Sequence, residues 1–153
     1  MEEFDVIAYT DGACKGNPGV GGWGVFLQVG QWTHELYGAS KTTTNNQMEL
    51  TAAVKALAAC HNGAKNILVF TDSKYLLQGI TSWIKAWKAN GWISSTKQPV
   101  KNKELWQQLD KLCKEHTVTW KLVKGHSGNP GNERADALAN KGIQELKRQQ
   151  YER

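Results

Sequence analysis

Apolar and polar positions along the chain alternate between two periods. Phe4-Asp5-Val6-Ile7-Ala8-Tyr9-Thr10-Asp11-Gly12 is rich in Val, Ile and aromatic residues and predicts a central strand buried on both faces. Trp23 to Val29 predicts a second strand, Gly30-Gln31 a tight turn, and Trp32 to Ala39 a third, giving an antiparallel meander. Asn66-Ile67-Leu68-Val69-Phe70-Thr71 is a further apolar strand, and Thr117 to Val123 is the last. Elsewhere the period is helical. Thr44-Asn45-Asn46-Gln47 fits a capping box and starts a helix running to about Ala59, with Asn62-Gly63 ending it. Ser73 to Gly79 and Thr81 to Ala89 predict two short helices, closed by Gly91-Trp92, and Pro99 falls in a loop. Asn102 to Glu115 is amphipathic, with Leu105, Leu109 and Leu112 inward. Asn129-Pro130 reads as an N-cap followed by proline at the first helical position, opening a helix toward Arg148, with residues 148–153 expected to fray.

This order predicts an α/β fold: a five-stranded mixed sheet, a three-strand antiparallel meander plus two parallel strands, flanked by helices. Residues 1–153 are expected to form a single domain. Gly19, Gly21 and Gly24 spell the dinucleotide fingerprint, but they lead into a strand-like segment rather than a helix. Ala13 to Gly22 is therefore read as a glycine-rich connection, its glycines a flexible turn.

Composition narrows the picture a little. The apolar share of 40% and seven tryptophans exclude a disordered chain. A net charge of +5 suits an anionic partner and equally an ordinary basic protein. Cys14, Cys60 and Cys113 are odd in number and lack paired spacing, which points to reduced thiols in a cytoplasmic protein. No signal peptide is expected, and no apolar run approaches the ~20 residues of a membrane span. With no apolar surface helix left unexplained, a monomer is expected.

The chemistry begins with Asp11. A charge closing a buried strand costs several kcal/mol, so either a cation compensates it or the strand frays just before it. The same shape recurs: Tyr9-Thr10-Asp11 and Phe70-Thr71-Asp72 both end an apolar strand in a carboxylate. Glu49 shares a helix face with Ala52, Ala53 and Ala56, a stripe that lets a helix lie close to a sheet, although a first-turn Glu is ordinarily a solvated dipole partner. Asp136 shares a side with Ala139 and Asn140. Singly, each acid is ordinarily a surface charge or a cap. Together at the carboxyl ends of parallel strands they would repel and hold protons, and a hard dication would relieve that. All-oxygen ligation selects Mg²⁺ or Mn²⁺ over zinc. Neither a G-x-S-x-G elbow nor a Cys–His signature supports a covalent nucleophile.

Several motifs occur in order with matching spacing: Thr10-Asp11-Gly12, Asn45-Asn46-Gln47-Met48-Glu49-Leu50, Thr71-Asp72-Ser73, and Gly125-His126-Ser127-Gly128-Asn129 through Asn132-Glu133-Arg134-Ala135-Asp136. With Asn90-Gly91-Trp92 and Pro99-Val100-Lys101-Asn102-Lys103, they make nearly the whole chain resemble bacterial ribonuclease H of type 1. The resemblance implies a ribonuclease H-like fold. It implies an endonuclease that hydrolyses the RNA strand of RNA–DNA hybrids and leaves 5′-phosphate and 3′-hydroxyl ends. Asp11, Glu49, Asp72 and Asp136 would hold two Mg²⁺ ions. His126 matches a loop histidine thought to assist proton transfer or product release, whereas His34, His61 and His116 are read as having no task.

Substrate contacts follow from the same resemblance. Cys14, Asn17, Asn45 and Asn46 would line the hybrid's minor groove, and Glu49 would also accept from a 2′-hydroxyl. Thr44 and Asn102 match a pocket gripping a DNA-strand phosphate, while Thr42 stands where relatives often carry Arg. Trp83 and Trp87, with Lys85 and Lys88, match a DNA-strand handle, one tryptophan being expected to pack on the core instead. Moderate hybrid affinity is expected. Two other readings are an integrase-like DNA nuclease, which usually has fewer acids and lacks this histidine and asparagine set, and a hybrid-binding module without catalysis, which would be expected to have lost an acid.

Overall fold

The computed structural model of the protein describes residues 4–124 and 128–151. Its elements are β1 (Val6–Gly16), β2 (Gly19–Val29), β3 (Trp32–Thr43), α1 (Asn45–Ala58), β4 (Asn66–Thr71), α2 (Lys74–Gln78), a π turn (Gly79–Trp83), α3 (Ile84–Ala89), α4 (Lys103–Glu115), β5 (Thr117–Leu122) and α5 (Pro130–Tyr151). The five strands form one sheet in the order β3-β2-β1-β4-β5. β1, β2 and β3 pair antiparallel, and β4 and β5 join parallel to β1 and to each other. The mixed sheet with a three-strand meander is thus as the sequence predicts.

Helices α1 to α4 cover one face and α5 the other. The first face holds the larger core, where Leu50, Leu57, Ile67, Val69, Leu76 and Trp106 are all fully buried. β1 alternates rather than being buried on both faces: Val6, Ala8 and Thr10 are buried toward α1, while Ile7 and Tyr9 on the α5 side are half-buried. Ala52, Ala53 and Ala56 sit under α1 as its spacing predicts, and their small side chains bring this helix close to β1.

Three local readings of the sequence change. Ala13 to Gly22 is not a loose connection: β1 runs to Gly16 and β2 starts at Gly19, pairing through Ala13↔Gly22 and Cys14↔Gly21. Glycine is a poor strand former by itself, and here the ladder and the helices packed on it override that preference. Likewise β3 extends past Ala39 to Thr43, carried by its pairing with β2. Second, residues 74–89 form one continuous helical run with a π turn instead of two helices. Gly79 does not break it because its backbone is helical (φ −62°), and its missing side chain makes room for the Trp106 indole. Third, Trp106 is the deepest side chain of α4 together with Leu109, whereas Leu105 and Leu112 are only half-buried.

Capping follows the sequence in part. The Thr44 hydroxyl accepts from the Gln47 amide at 3.2 Å, but the Gln47 side chain does not reach back to complete the box, being engaged by Thr43 and Asn102. Asn129 caps α5 by accepting from the Asn132 amide at 3.0 Å, ahead of Pro130. α5 continues through Tyr151, past Arg148.

Candidate active site

The β1–β4 ladder is parallel and ends at Tyr9↔Phe70, two residues before Asp11 and Asp72, so these aspartates emerge side by side. β1 itself continues through Asp11, which faces Gly24 on β2. The strand therefore does not fray before this carboxylate. A Cβ on Gly24 would overlap the Ala135 carbonyl oxygen, and one on Gly22 the Ala139 carbonyl oxygen. α5 accordingly rests on bare β2 backbone, which lowers Asp136 onto Asp11. Gly12 does the same for α1, since a Cβ there would lie 2.5 Å from the Glu49 amide nitrogen.

One carboxylate oxygen from each of Asp11, Glu49 and Asp72 lies within 4.8 Å of the others. Asp136 falls outside that group of three but is near enough for its carboxyl to help hold the Asp11 proton, and all four acids line a cavity of about 400 Å³ with Asn45, Asn46, Ser73, Lys74 and Tyr75. Asp11 and Glu49 are 5% and 4% exposed, so Glu49 is not a solvated dipole partner. Burial, then the charge of Asp72 and the carboxyl of Asp136, pushes the Asp11 carboxyl up from 3.8 to about 9. Burial and the neighbouring Asp11 and Asp72 raise Glu49 well above its ordinary value. Glu49 Oε1 is buried and has no hydrogen-bond partner among the described residues. A buried oxygen without a donor, beside carboxylates that cannot all ionise, fits a hard divalent cation, and the all-oxygen donor set disfavours zinc. A cavity of about 380 Å³ near the other end of β4 is lined by Cys60, His61 and His116. No second grouping of metal-ligating side chains like the acid cluster occurs among the described residues.

The other predicted residues distribute around this centre. Asn45 and Asn46 line the acid cavity from the first turn of α1. Cys14 is half-buried, its thiol directed at the carbonyls of Gly19 and Thr43, and Asn17 is exposed at the β1–β2 turn in a cis peptide with Pro18. Thr44 and Asn102 are brought together through Gln47, whose backbone amide donates to the Thr44 hydroxyl and whose Nε2 donates to Asn102 Oδ1, each at 3.2 Å. Trp83 is 37% exposed, whereas Trp87 is half-buried among Trp83, Trp92 and Trp106, so Trp87 is the one that packs on the core. Lys88 shares Asp110 with Lys114, at 3.3 and 3.5 Å, which leaves Lys85 without an ion pair among the described residues. Thr42 is exposed. His126 lies outside the described residues.

Sequence reasoning missed Ser73, Lys74, Tyr75 and Gln47. The signal was local: Ser73 follows Asp72 and caps α2 by accepting from the Leu76 amide at 3.1 Å, which fixes the next two side chains at the cavity wall.

Comparison with known proteins decides the family. The RNase H family model matches residues 3–144. The chain belongs to the ribonuclease H family. Over 141 residues it is 60% identical to the Ribonuclease H of Francisella tularensis subsp. novicida (strain U112), covering 92% of each chain. Among solved structures it resembles LC9-RNase H1, a type 1 RNase H with the type 2 active-site motif, with a TM-score of 0.84 and 31% identity over 92% of this chain and 72% of that one. It also resembles LC11-RNase H1, solved in complex with RNA/DNA hybrid, with a TM-score of 0.69 and 25% identity over 92% of this chain and 98% of that one. The ribonuclease H-like fold implied by the motifs thus stands on sequence and structure alike.

Proposed function

We infer that this chain is an endonuclease that hydrolyses the RNA strand of RNA–DNA hybrids, leaving 5′-phosphate and 3′-hydroxyl ends. The observation that carries this reading is the cluster of Asp11, Glu49 and Asp72, joined by Asp136, in a member of the ribonuclease H family. These four acids are assigned to two Mg²⁺ ions, with Mn²⁺ a substitute; support comes from the oxygen-only donor set and the unpartnered Glu49 Oε1. When bound, such ions screen the carboxylates, make an attacking water more acidic and stabilise the leaving oxygen. The protein's part is to orient. Asp11 and Asp72 set the spacing from the sheet, and Glu49 and Asp136 close on it from opposite faces. Asn45 and Asn46 present carboxamides to the minor groove beside the cavity, where a 2′-hydroxyl marks the RNA strand. Cys14 and Asn17 extend that surface. Thr44 and Asn102 are assigned to a DNA-strand phosphate, Trp83 to the same strand further along with Trp87 packed behind it, and His126 to proton transfer or product release.

No described helix is long and apolar enough to cross a membrane, and all three cysteines are free. The free thiols suit a reducing compartment, and the chain is proposed to act as a monomer in the cytoplasm. The reading is tested with labelled RNA–DNA hybrid, RNA duplex and DNA duplex, each with Mg²⁺ and with EDTA. Cuts confined to the hybrid's RNA strand and requiring Mg²⁺ are expected. Binding without cuts would favour a hybrid-binding module, and DNA cleavage an integrase-like nuclease.

A further inference from the structure

Asn102 stands at the N-cap of α4, a position its side chain normally serves by accepting from its own helix. Here it makes no such bond. Its backbone is left-handed (φ 61°, ψ 29°), a state that Asn tolerates better than most residues with a side chain, and its carboxamide is turned away from the helix. Oδ1 accepts from Gln47 Nε2 at 3.2 Å, and Nδ2 donates to the Tyr75 hydroxyl oxygen at 3.1 Å. That oxygen also accepts from Trp106 Nε1 at 3.2 Å. At the other end, the Thr43 hydroxyl donates to Gln47 Oε1 at 2.8 Å. The result is an uncharged chain of side chains, Thr43–Gln47–Asn102–Tyr75–Trp106, drawn from β3, α1, α4 and α2. The Tyr75 ring packs 5.8 Å from Trp83 and 5.4 Å from Trp106.

Tyr75 also lines the acid cavity beside Asp72, Ser73 and Lys74. Gln47 and Asn102 line a separate cavity of about 400 Å³ with Pro99 and Lys103. Tyr75, in the lining of the first, is thus hydrogen-bonded to Asn102 in the lining of the second. A helix giving up its best cap, and a backbone held left-handed, make sense where the diverted group is needed elsewhere in a fixed orientation.

We propose that Tyr75 is a positioning residue: its hydroxyl fixes the Asn102 carboxamide so that the strand gripped beside Asn102 is held at a set distance from the acid cluster. This rests on the hybrid-cleaving reading above. Losing the hydroxyl leaves the carboxamide held only through Oδ1 by Gln47, and the loss falls on hybrid binding more than on turnover.

The test is a double-mutant cycle between Tyr75→Phe and Asn102→Ala in the full chain, reading hybrid Kd by anisotropy in EDTA, then KM and kcat in Mg²⁺, with melting followed by circular dichroism. Tyr75→Phe is expected to raise Kd and KM about three- to tenfold, the worth of one hydrogen bond, with a smaller change in kcat. In the Asn102→Ala background it is expected to add nothing further. Gln47→Met, which frees the other end of the carboxamide, is expected to behave the same way. Additive losses, or a Tyr75→Phe protein that melts lower but binds like the wild type, would overturn the proposal in favour of packing alone. A wild-type chain that leaves hybrids uncut would instead overturn the parent reading.

Discussion

Asp11 lies directly across the β1–β2 ladder from Gly24, and the Ala135 carbonyl of α5 rests on that glycine's bare Cα. The carboxylate and the glycine thus act as one unit. Gly24 admits α5, and α5 carries Asp136 in its next residue down to Asp11. Gly12 admits α1 and Glu49 from the opposite face. Four like charges gather because two helices sit closer to the sheet than any side chain would allow, and the raised carboxyls of Asp11 and Glu49 record the electrostatic cost.

Gly24→Ala should therefore damage activity more than fold. The added methyl meets the Ala135 carbonyl oxygen, and Leu138 Cβ at 2.8 Å, so α5 must lift. Overpacking of this kind costs about 1–3 kcal/mol. Chemical denaturation should show a loss of that size, and Mg²⁺ titration of cleavage should show a higher metal requirement because Asp136 moves from its partner. An unchanged metal requirement would mean that the close approach does not set the site.

The pH dependence of stability should run opposite to that of an ordinary acidic surface. Asp11 holds its proton up to about 9 in the folded protein but only to about 3.8 when unfolded. Between those values the unfolded chain binds fewer protons, so stability falls as pH rises through this window. Glu49 adds to the same trend. Metal-free protein should melt lower at pH 8 than Asp11→Asn does, with the two converging toward pH 4. Mg²⁺ should raise the wild-type melting temperature more at pH 8 than at pH 5. Asp11→Asn should also abolish cleavage. An Asp11→Asn protein that still cuts hybrid, or that melts below the wild type at pH 8 in EDTA, would remove Asp11 from the role assigned to it.

Much of this arrangement was legible in residue order. The shared ending of Phe4–Asp11 and Asn66–Asp72, apolar strand then Thr-Asp, states the register that the parallel ladder adopts. The alanine stripe under Glu49 announces a helix lying close to the sheet. What was illegible depended on partners distant in sequence. Gly19 to Gly22 looks like a turn because glycine has no strand preference, and only α5, more than a hundred residues later, gives Gly22 and the strand residue Gly24 their reason. Gly79 looks like a helix break until Trp106 fills the space beside it. Gln47 reads as half of a capping box, and nothing local says that Thr43 and Asn102 will claim its carboxamide.

The two tryptophans of the handle should separate cleanly. Trp87 is half-buried, with ring centroids at 5.9, 6.3 and 5.3 Å from Trp83, Trp92 and Trp106. Trp87→Ala should destabilise the fold by roughly 3 kcal/mol, the low end for a tryptophan lost from a core. Trp83, 37% exposed, should lose little stability on truncation. Its loss should instead weaken hybrid binding by about 1 kcal/mol, roughly fivefold. Denaturation and anisotropy on both variants check this, and equal stability losses would contradict the division of labour.

Thr42 offers the reverse test, a gain. It is exposed while its strand neighbour Thr43 is buried, so its side chain points outward just before Thr44 caps α1. A hydroxyl at that place contributes at most a neutral hydrogen bond to a phosphate, whereas a guanidinium contributes a charge-assisted fork. Thr42→Arg should tighten hybrid binding about fivefold near 0.1 M salt, since an exposed contact of this kind is worth about 1 kcal/mol. It should also steepen the plot of log Kd against log salt by just under one unit, the release of one additional counterion. A wild-type slope already as steep as the variant's would show that the phosphate is gripped without Arg, and the moderate affinity expected of this chain would be wrong.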